Sequence, residues 1–193
     1  MIIAYSAKNQ FKPNNVSNQN RQQISESLWI DLLNPSKEEE TLIEGLLNVD
    51  IPTREEMQEI EVSSRLYKEN GAIFMTVTMV ARSDSLEPKS DAVTLILIEN
   101  KLITVRYIEP QSFASITTRI SKLLSFSSTA IDLLIEILDA SVERLADILE
   151  KVSHGLDTYS QAIFRPEVET EGKVDILLAI NDEDSYRVQI KMV

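Results

Sequence analysis

The fold is decided by three apolar stretches in the middle of the chain, residues 72–80 (AIFMTVTMV), 92–98 (AVTLILI) and 102–107 (LITVRY). Residues 63–68 precede the first stretch, and the Asn70-Gly71 pair between them is the strongest short signal for a β-hairpin. The second and third stretches form a similar pair, joined by Glu99-Asn100-Lys101. Because these four predicted strands follow one another in sequence, they indicate an antiparallel part of a sheet.

Two more strands are predicted nearer the N-terminus. Residues 1–7 (MIIAYSA) and 28–32 (LWIDL) have the composition of strands, and Trp29 in the second is expected to lie in the core. The residues between them, 8–27, are rich in Asn, Gln and Ser, and they predict an exposed excursion between the two strands.

Helices are predicted both before and after the central strands. Ser36 with Glu39, and Thr53 with Glu56, have the spacing of a capping box, in which side chains satisfy the free amide groups at the start of a helix. After Pro110, apolar residues recur at helical spacing at Phe113, Ile116, Ile120, Leu123 and Leu124. This order favours a layered α/β domain, residues 1–126, followed by helices that extend away from it, residues 127–193.

A long helix with a heptad repeat is predicted from residue 131. Its apolar residues are separated alternately by four and three positions, a period that keeps one seam facing a partner helix. They are Ile131, Ile135, Leu138, Val142, Leu145, Leu149, Val152, Leu156, Tyr159 and Ile163. An acid follows most of them, at Asp132, Glu136, Asp139, Glu143, Glu150 and Asp157. This negative stripe is either an ordinary solvated helix face or a surface that faces hydrated divalent cations.

A return helix is predicted at the end of the chain. Pro166 and the Glu-rich residues up to Gly172 indicate a turn, and residues 174–193 are interpreted as a second helix. No stop signal precedes Val193, so we expect the chain to be cut within that helix. The sequence contains neither a signal peptide nor an apolar run of about 20 residues, and a soluble chain is therefore expected.

The composition excludes several classes of function. The 193 residues carry a net charge of −12, which repels nucleic acids and attracts cations, although an acidic surface also serves solubility alone. Cys is absent and His154 is the only histidine, which removes thiolate metal sites and most zinc and Ser-His-Asp chemistry. Glycine-rich phosphate-binding motifs and a nucleophile elbow are also absent, so we expect that the protein is not an enzyme.

Several separated stretches together resemble the CorA family of transporters for Mg²⁺ and related divalent cations. Residues 29–35 (WIDLLNP), 52–65 (PTREEMQEIEVSSR) and 101–107 (KLITVRY) are similar to strand and helix segments of that family. In the long helix, residues 143–147 (ERLAD) and 160–164 (SQAIF) extend the resemblance. The family's Gly-Met-Asn tripeptide and its two transmembrane helices are missing from this sequence, which agrees with a chain that stops before them.

The resemblance implies an αβα-layered cytoplasmic domain with a mixed parallel and antiparallel sheet, followed by long antiparallel acidic helices that lead towards the membrane. It also implies a homopentamer at the cytoplasmic side of the bacterial plasma membrane. In that assembly Mg²⁺, with Co²⁺ or Zn²⁺ as alternatives, binds between subunits through carboxylates and keeps the pore shut. By itself, the present chain is expected to be a monomer or a dimer through the heptad seam.

The resemblance also points to three carboxylates as metal-binding candidates. Asp84, in the loop after the strand 72–80, is the nearest match to one side of the family's inter-subunit metal site. Glu87 and Asp91, placed in the same loop, are expected to assist, because Mg²⁺ keeps several waters and needs only one or two protein carboxylates. A merely solvated hairpin loop is the alternative for each of them.

Three other functions fit parts of the sequence. The first is the zinc-transporting branch of the same superfamily, which shares the architecture. The second is a free-standing oligomerisation module whose acidic helices form a coiled coil without a metal function. A metal-dependent hydrolase is more distant, since it requires carboxylates that converge in one cleft, whereas the acids here spread along a helix face.

Overall fold

The computed structural model describes residues 1–16, 20–85, 87–123 and 129–164. Within these residues, seven strands form one sheet with the order β2-β1-β3-β7-β6-β5-β4. The strands are β1 (Ile2–Tyr5), β2 (Asn14–Val16), β3 (Trp29–Leu33), β4 (Leu66–Glu69), β5 (Ala72–Ala81), β6 (Lys89–Ile98) and β7 (Lys101–Arg106). The helices are α1 (Gln22–Glu26), α2 (Lys37–Leu47), α3 (Arg54–Met57), α4 (Val62–Arg65), α5 (Gln111–Leu123) and α6 (Ala130–Phe164), with a 3₁₀ turn at Ala7–Asn9.

The sheet is mixed, as predicted. β3 and β7 pair in parallel at its centre, with Trp29 opposite Leu102, while the other neighbouring strands pair antiparallel. The predicted hairpin between β4 and β5 is confirmed, and its turn residues Asn70 and Gly71 have φ angles of 47° and 83°. Two successive positive φ angles are those of a type I′ turn, whose twist matches that of the flanking strands.

Helices cover both faces of the sheet. Successive strand residues point to opposite faces, so each strand contributes to two separate apolar clusters. One face packs against α5 and α6 through Phe113, Ile116, Ile120, Leu133 and Ile137. The opposite face packs against α1, α2 and α3 through Ile24, Ile43 and Met57. The predicted αβα layering is therefore confirmed, and Trp29 lies in the first cluster as expected.

The two predicted capping boxes start α2 and α3. The Glu39 backbone N–H donates to Ser36 Oγ at 3.4 Å, and Glu39 Oε2 accepts from the Ser36 backbone N–H at 2.9 Å. Thr53 and Glu56 form the same reciprocal pair at the start of α3. Two hydrogen bonds from Thr53 lower the pKa of the Glu56 carboxyl, and the bond from the backbone N–H has a larger effect than the bond from the side chain. The Glu56 carboxylate therefore remains charged over a wide pH range.

Two predictions on element boundaries differ from the structure. The excursion 8–27 contains an edge strand, β2, and the short helix α1. The Lys101 ammonium group fixes α1, because it donates to the carbonyl oxygens of Ile24, Ser25 and Ser27 at 2.7–3.2 Å. The strand predicted at 63–68 begins only at Leu66, since residues 62–65 form the helix α4.

A buried ion pair lies on the sheet face that carries α5 and α6. Asp31 of β3 and Arg106 of β7 are 0% and 6% exposed, and the Arg106 guanidinium contacts both carboxylate oxygens at 2.8–3.2 Å. Thr104 Oγ1 donates to Asp31 Oδ1 at 2.7 Å and accepts from Trp29 Nε1 at 3.0 Å. Arg106 also donates to the Ile108 carbonyl oxygen at 2.9 Å. Both buried charges are therefore paired and hydrogen-bonded, as burial requires.

The long predicted helix is α6, a continuous helix of 35 residues. The chain divides into two compact units, residues 1–142 and 143–193, and the boundary between them falls within this helix. The domain boundary predicted after residue 126 stays a prediction. The predicted turn at Pro166 and the return helix 174–193 lie outside the described residues.

Candidate functional site

The candidate metal residues Asp84 and Glu87 lie in the hairpin loop between β5 and β6, and both side chains are exposed. Hydrogen bonds within the loop fix its shape. Ser85 Oγ donates to the Arg82 carbonyl oxygen at 2.8 Å and accepts from the Glu87 backbone N–H at 3.2 Å. Arg82 has a positive φ of 56°, which turns the chain away from β5. The loop thus presents two carboxylates to solvent.

A contact with α5 orients the Asp84 carboxylate. Gln111, the first residue of α5, donates from Nε2 to Asp84 Oδ2 at 3.0 Å, and its Oε1 accepts from Ser83 Oγ at 3.4 Å. The amide group of Gln111 therefore links Ser83 and Asp84 to the start of α5, which packs on the sheet. A cation at Asp84 would meet a carboxylate that is already held by a neutral donor.

Asp91 differs from its prediction, because it lies in strand β6 opposite Met79 and not in the loop. Its carboxylate forms an ion pair with Arg54 at 2.8 Å and accepts from Gln58 Nε2 at 3.2 Å, and the Ala92 backbone N–H donates to it at 2.9 Å. These contacts are those of a residue that anchors α3 to β6. A metal ion at Asp91 would have to displace the guanidinium group of Arg54.

Sequence reasoning did not identify Arg54 as an organising residue. Its guanidinium lies 4.9 Å from the centre of the Tyr107 ring, in addition to its ion pair with Asp91. The Tyr107 hydroxyl donates to Glu40 Oε1 at 3.4 Å, which extends the contacts to α2. The position of Arg54 directly after the Thr53 cap was visible in the sequence, but the strand residues that it contacts are distant in the chain.

The described residues contain no group of three or more His, Cys, Asp or Glu side chains placed to hold a metal ion. The structure therefore brings Asp84 and Glu87 into one loop but does not complete a coordination shell around them. The exposed acids of α6 are likewise spread along a helix. Any Mg²⁺ bound at the loop would retain most of its waters, which is the usual way for this ion to bind proteins.

We expect the Asp91→Asn substitution to lower stability in a pH-dependent way. Burial raises the pKa of the Asp91 carboxyl, but the bonds from Arg54, the Ala92 N–H and Gln58 outweigh it, so that the pKa falls below its ordinary value of 3.8. Because the pKa of Asp91 is lower in the folded protein than in the unfolded chain, its ionised carboxylate stabilises the fold at pH values above the pKa of the unfolded chain. This stabilisation is lost as the pH falls through the pKa of the folded protein. Because Arg54 is half-exposed, the loss at pH 7 should be at most about 1 kcal/mol.

Urea denaturation of the wild-type and Asp91→Asn proteins at several pH values between 7 and about 2.5 measures this difference. The gap between them should be largest at neutral pH and should close below the pKa of Asp91. Glu87→Gln, in the neighbouring loop, is the control and should leave stability nearly unchanged. A gap that widens on acidification would contradict the assigned ion pair.

The fold is similar to that of two solved structures from Methanocaldococcus jannaschii. The complete structure of the CorA magnesium transporter matches 94% of this chain and 55% of its own, with a TM-score of 0.67 and 14% identity. The structure of the soluble domain of CorA matches 84% of this chain and 64% of its own, with a TM-score of 0.60 and 14% identity. The class of fold is therefore the α/β soluble domain found in CorA.

Sequence comparison gives the family. Residues 25–183 match the family model of the CorA-like Mg²⁺ transporter protein, and the chain belongs to this family. The magnesium transport protein CorA of Wolinella succinogenes is 33% identical over 133 residues, which cover 67% of this chain and 41% of that protein. CorA of Campylobacter jejuni strain RM1221 is 31% identical over 131 residues, which cover 64% and 40%.

The chain thus spans about two fifths of the length of these two curated relatives. Across the part of the chain that the structure describes, none of the helices combines the length and the apolar character needed to span a membrane.

Proposed function

We propose that this chain is the cytoplasmic, metal-sensing domain of a divalent-cation transporter and that it has no enzymatic activity. The observation that supports this most directly is the family match over residues 25–183, together with the magnesium transport activity named for its relatives. The exposed loop carboxylates agree with it. In the whole protein, the domain would lie at the cytoplasmic side of the bacterial plasma membrane and assemble as a homopentamer.

The proposed mechanism is a shift of population between open and closed assemblies. Asp84 and Glu87 would bind hydrated Mg²⁺, or alternatively Co²⁺ or Zn²⁺, more tightly when a neighbouring subunit supplies further oxygen ligands. Metal binding then shifts the equilibrium towards the closed assembly. The size of the shift is set by the ratio of the metal's affinities for the closed and the open assemblies. Asp91 contributes indirectly, because its ion pair with Arg54 anchors the strand that leads out of the loop.

Mg²⁺ is expected to raise the melting temperature of the assembled protein more than KCl of equal ionic strength. A ligand at ten times its dissociation constant stabilises the folded state by about 1.4 kcal/mol. For a domain of this size, that corresponds to a shift of about 3–6 °C. The measurement is a thermal melt followed by circular dichroism in MgCl₂ and in KCl.

The Asp84→Asn/Glu87→Gln double variant should lose the excess shift. Glu150→Gln/Asp157→Asn removes the same charge from exposed positions on α6 and should keep it. If Mg²⁺ and K⁺ have the same effect on the wild-type protein, the sensing proposal fails. If both double variants respond as the wild type does, sensing can stand but the assignment of the loop carboxylates is wrong.

A further inference from the structure

The start of helix α5 is fixed to the core of the domain. Phe113 and Ile116 of this helix are 3% and 0% exposed and lie in the cluster on the sheet. The Arg106 guanidinium lies 4.7 Å from the centre of the Phe113 ring, and it also donates to the Ile108 carbonyl oxygen at 2.9 Å. The buried Arg106 therefore contacts both the first turn of α5 and the segment that leads into it from β7.

The loop between β5 and β6 is attached to this fixed helix start through Gln111. Nε2 of the Gln111 amide donates to Asp84 Oδ2 at 3.0 Å, and Oε1 of the same amide accepts from Ser83 Oγ at 3.4 Å. A side-chain amide carries its donor and its acceptor in one plane, so a rotation of Gln111 away from the loop breaks both bonds. The two bonds therefore hold the Asp84 carboxylate relative to its neighbour in the loop and relative to α5.

We propose that Gln111 is a positioning residue for the regulatory cation, which holds the Asp84 carboxylate in place for a hydrated divalent ion and adds no charge of its own. This inference rests on the proposed function, in which Asp84 binds that ion. Mg²⁺ keeps several of its waters and gains little from each protein carboxylate. A carboxylate that must first be immobilised binds it more weakly still, because the lost rotational freedom opposes binding.

The chemistry of the amide suits this role. A lysine or arginine at position 111 could hold the carboxylate as firmly, but its positive charge would compete with the metal ion. The protein shows this other arrangement at Asp91, whose carboxylate meets the Arg54 guanidinium at 2.8 Å and anchors α3 to β6. Gln111 compensates none of the negative charge of Asp84, so the full charge remains to attract a cation.

The Gln111→Met variant tests the positioning, because methionine keeps the length of the side chain and removes both hydrogen bonds. The dissociation constant of Mg²⁺, measured by isothermal titration calorimetry of the assembled protein, should rise about two- to tenfold, the factor for immobilising one side chain on binding. Without metal, the amide hydrogens of Ser85 and Glu87 should exchange faster than in the wild type. Both amides form hydrogen bonds within the loop, at 2.9 Å and 3.2 Å.

Two charged variants separate positioning of a cation site from a merely structural contact. Gln111→Glu places a second carboxylate beside Asp84 and should strengthen Mg²⁺ binding about fivefold, whereas Gln111→Lys should weaken it by a similar factor. Without Mg²⁺ the melting temperatures should have the opposite order, because lysine attracts Asp84 and glutamate repels it. A merely structural role predicts the same order of stability with and without the metal.

Gln22 provides the matched control, since it is the exposed first residue of another helix, α1. Gln22→Glu and Gln22→Lys change the same charges at a helix start and should leave the affinity for Mg²⁺ nearly unchanged.

The outcomes distinguish this inference from the proposed function. If Mg²⁺ binds the wild type and binding is lost in Asp84→Asn/Glu87→Gln, but all three Gln111 variants bind as the wild type does, the positioning role is overturned and the sensing proposal stands. If Mg²⁺ does not bind the wild type, both are overturned. Weaker binding by Gln111→Met and Gln111→Lys, together with tighter binding by Gln111→Glu, supports both.

Discussion

Replacing Asp31 with alanine should destabilise the protein by about 3–5 kcal/mol, because it leaves the buried Arg106 guanidinium without its anion. Arg106 would retain its bond to the Ile108 carbonyl oxygen, but three contacts to the carboxylate would be lost. Thr104 would also lose the acceptor for its hydroxyl proton. Urea denaturation followed by circular dichroism measures the loss, and the variant should unfold at a much lower urea concentration than the wild type.

The double variant Asp31→Leu/Arg106→Met distinguishes the cost of an unpaired charge from the value of the pair. Since both charges are removed and their volume is partly replaced, it should be more stable than Asp31→Ala. Two equally destabilised proteins would show that packing, rather than the unpaired guanidinium, causes the loss. Asp91→Asn breaks an ion pair whose arginine is half-exposed, and it should cost far less than Asp31→Ala.

Replacing Trp29 with alanine should cost about 3–5 kcal/mol, the usual loss for removing a large buried aromatic side chain. The indole is fully buried, stacks on Tyr5 with ring centres 4.2 Å apart, and lies 5.9 Å from the Phe113 ring. Its removal leaves a cavity between the sheet and α5. The chain has one tryptophan, so circular dichroism rather than fluorescence must follow the unfolding of the variant.

Trp29→Phe separates ring packing from hydrogen bonding. Phenylalanine keeps a ring between Tyr5 and Phe113, but it lacks the N–H group that donates to Thr104 Oγ1. The Thr104 hydroxyl still donates to Asp31, so we expect less than half of the loss seen for alanine. Equal losses for the two variants would mean that the indole hydrogen bond, and not the filled volume, stabilises this part of the core.

The local elements could be predicted from the sequence because their signals are local. The Asn70-Gly71 turn and the capping boxes at Ser36 and Thr53 depend on residues within a few positions of each other. The parallel pairing of β3 with β7 had no such signal, since it joins residues more than 70 positions apart. Asp31, an acid between apolar neighbours, did not reveal that it is buried, because its partner Arg106 is equally distant.

The heptad pattern was predicted correctly as a helix, but periodicity could not tell which of its apolar faces contacts the sheet. Leu133 and Ile137 lie between the heptad positions and form that contact. The candidate site shows a similar limit. The loop position of Asp84 followed from its place after a strand, whereas the ion pair of Asp91 depends on Arg54, which lies on a separate helix. The metal-binding role of Asp84, Glu87 and Asp91 stays a prediction.

The parallel contact between β3 and β7 has a consequence for how the protein folds. β1 to β3 and β4 to β7 are two antiparallel blocks of mostly local pairings, and this contact alone joins them within the sheet. Long-range pairing is slow because the intervening loop must first be closed, so the joining of the blocks should limit the folding rate. If β3 and β7 paired in a shifted register, Asp31 would be buried away from Arg106. The ion pair therefore favours the native register between β3 and β7 over a shifted one.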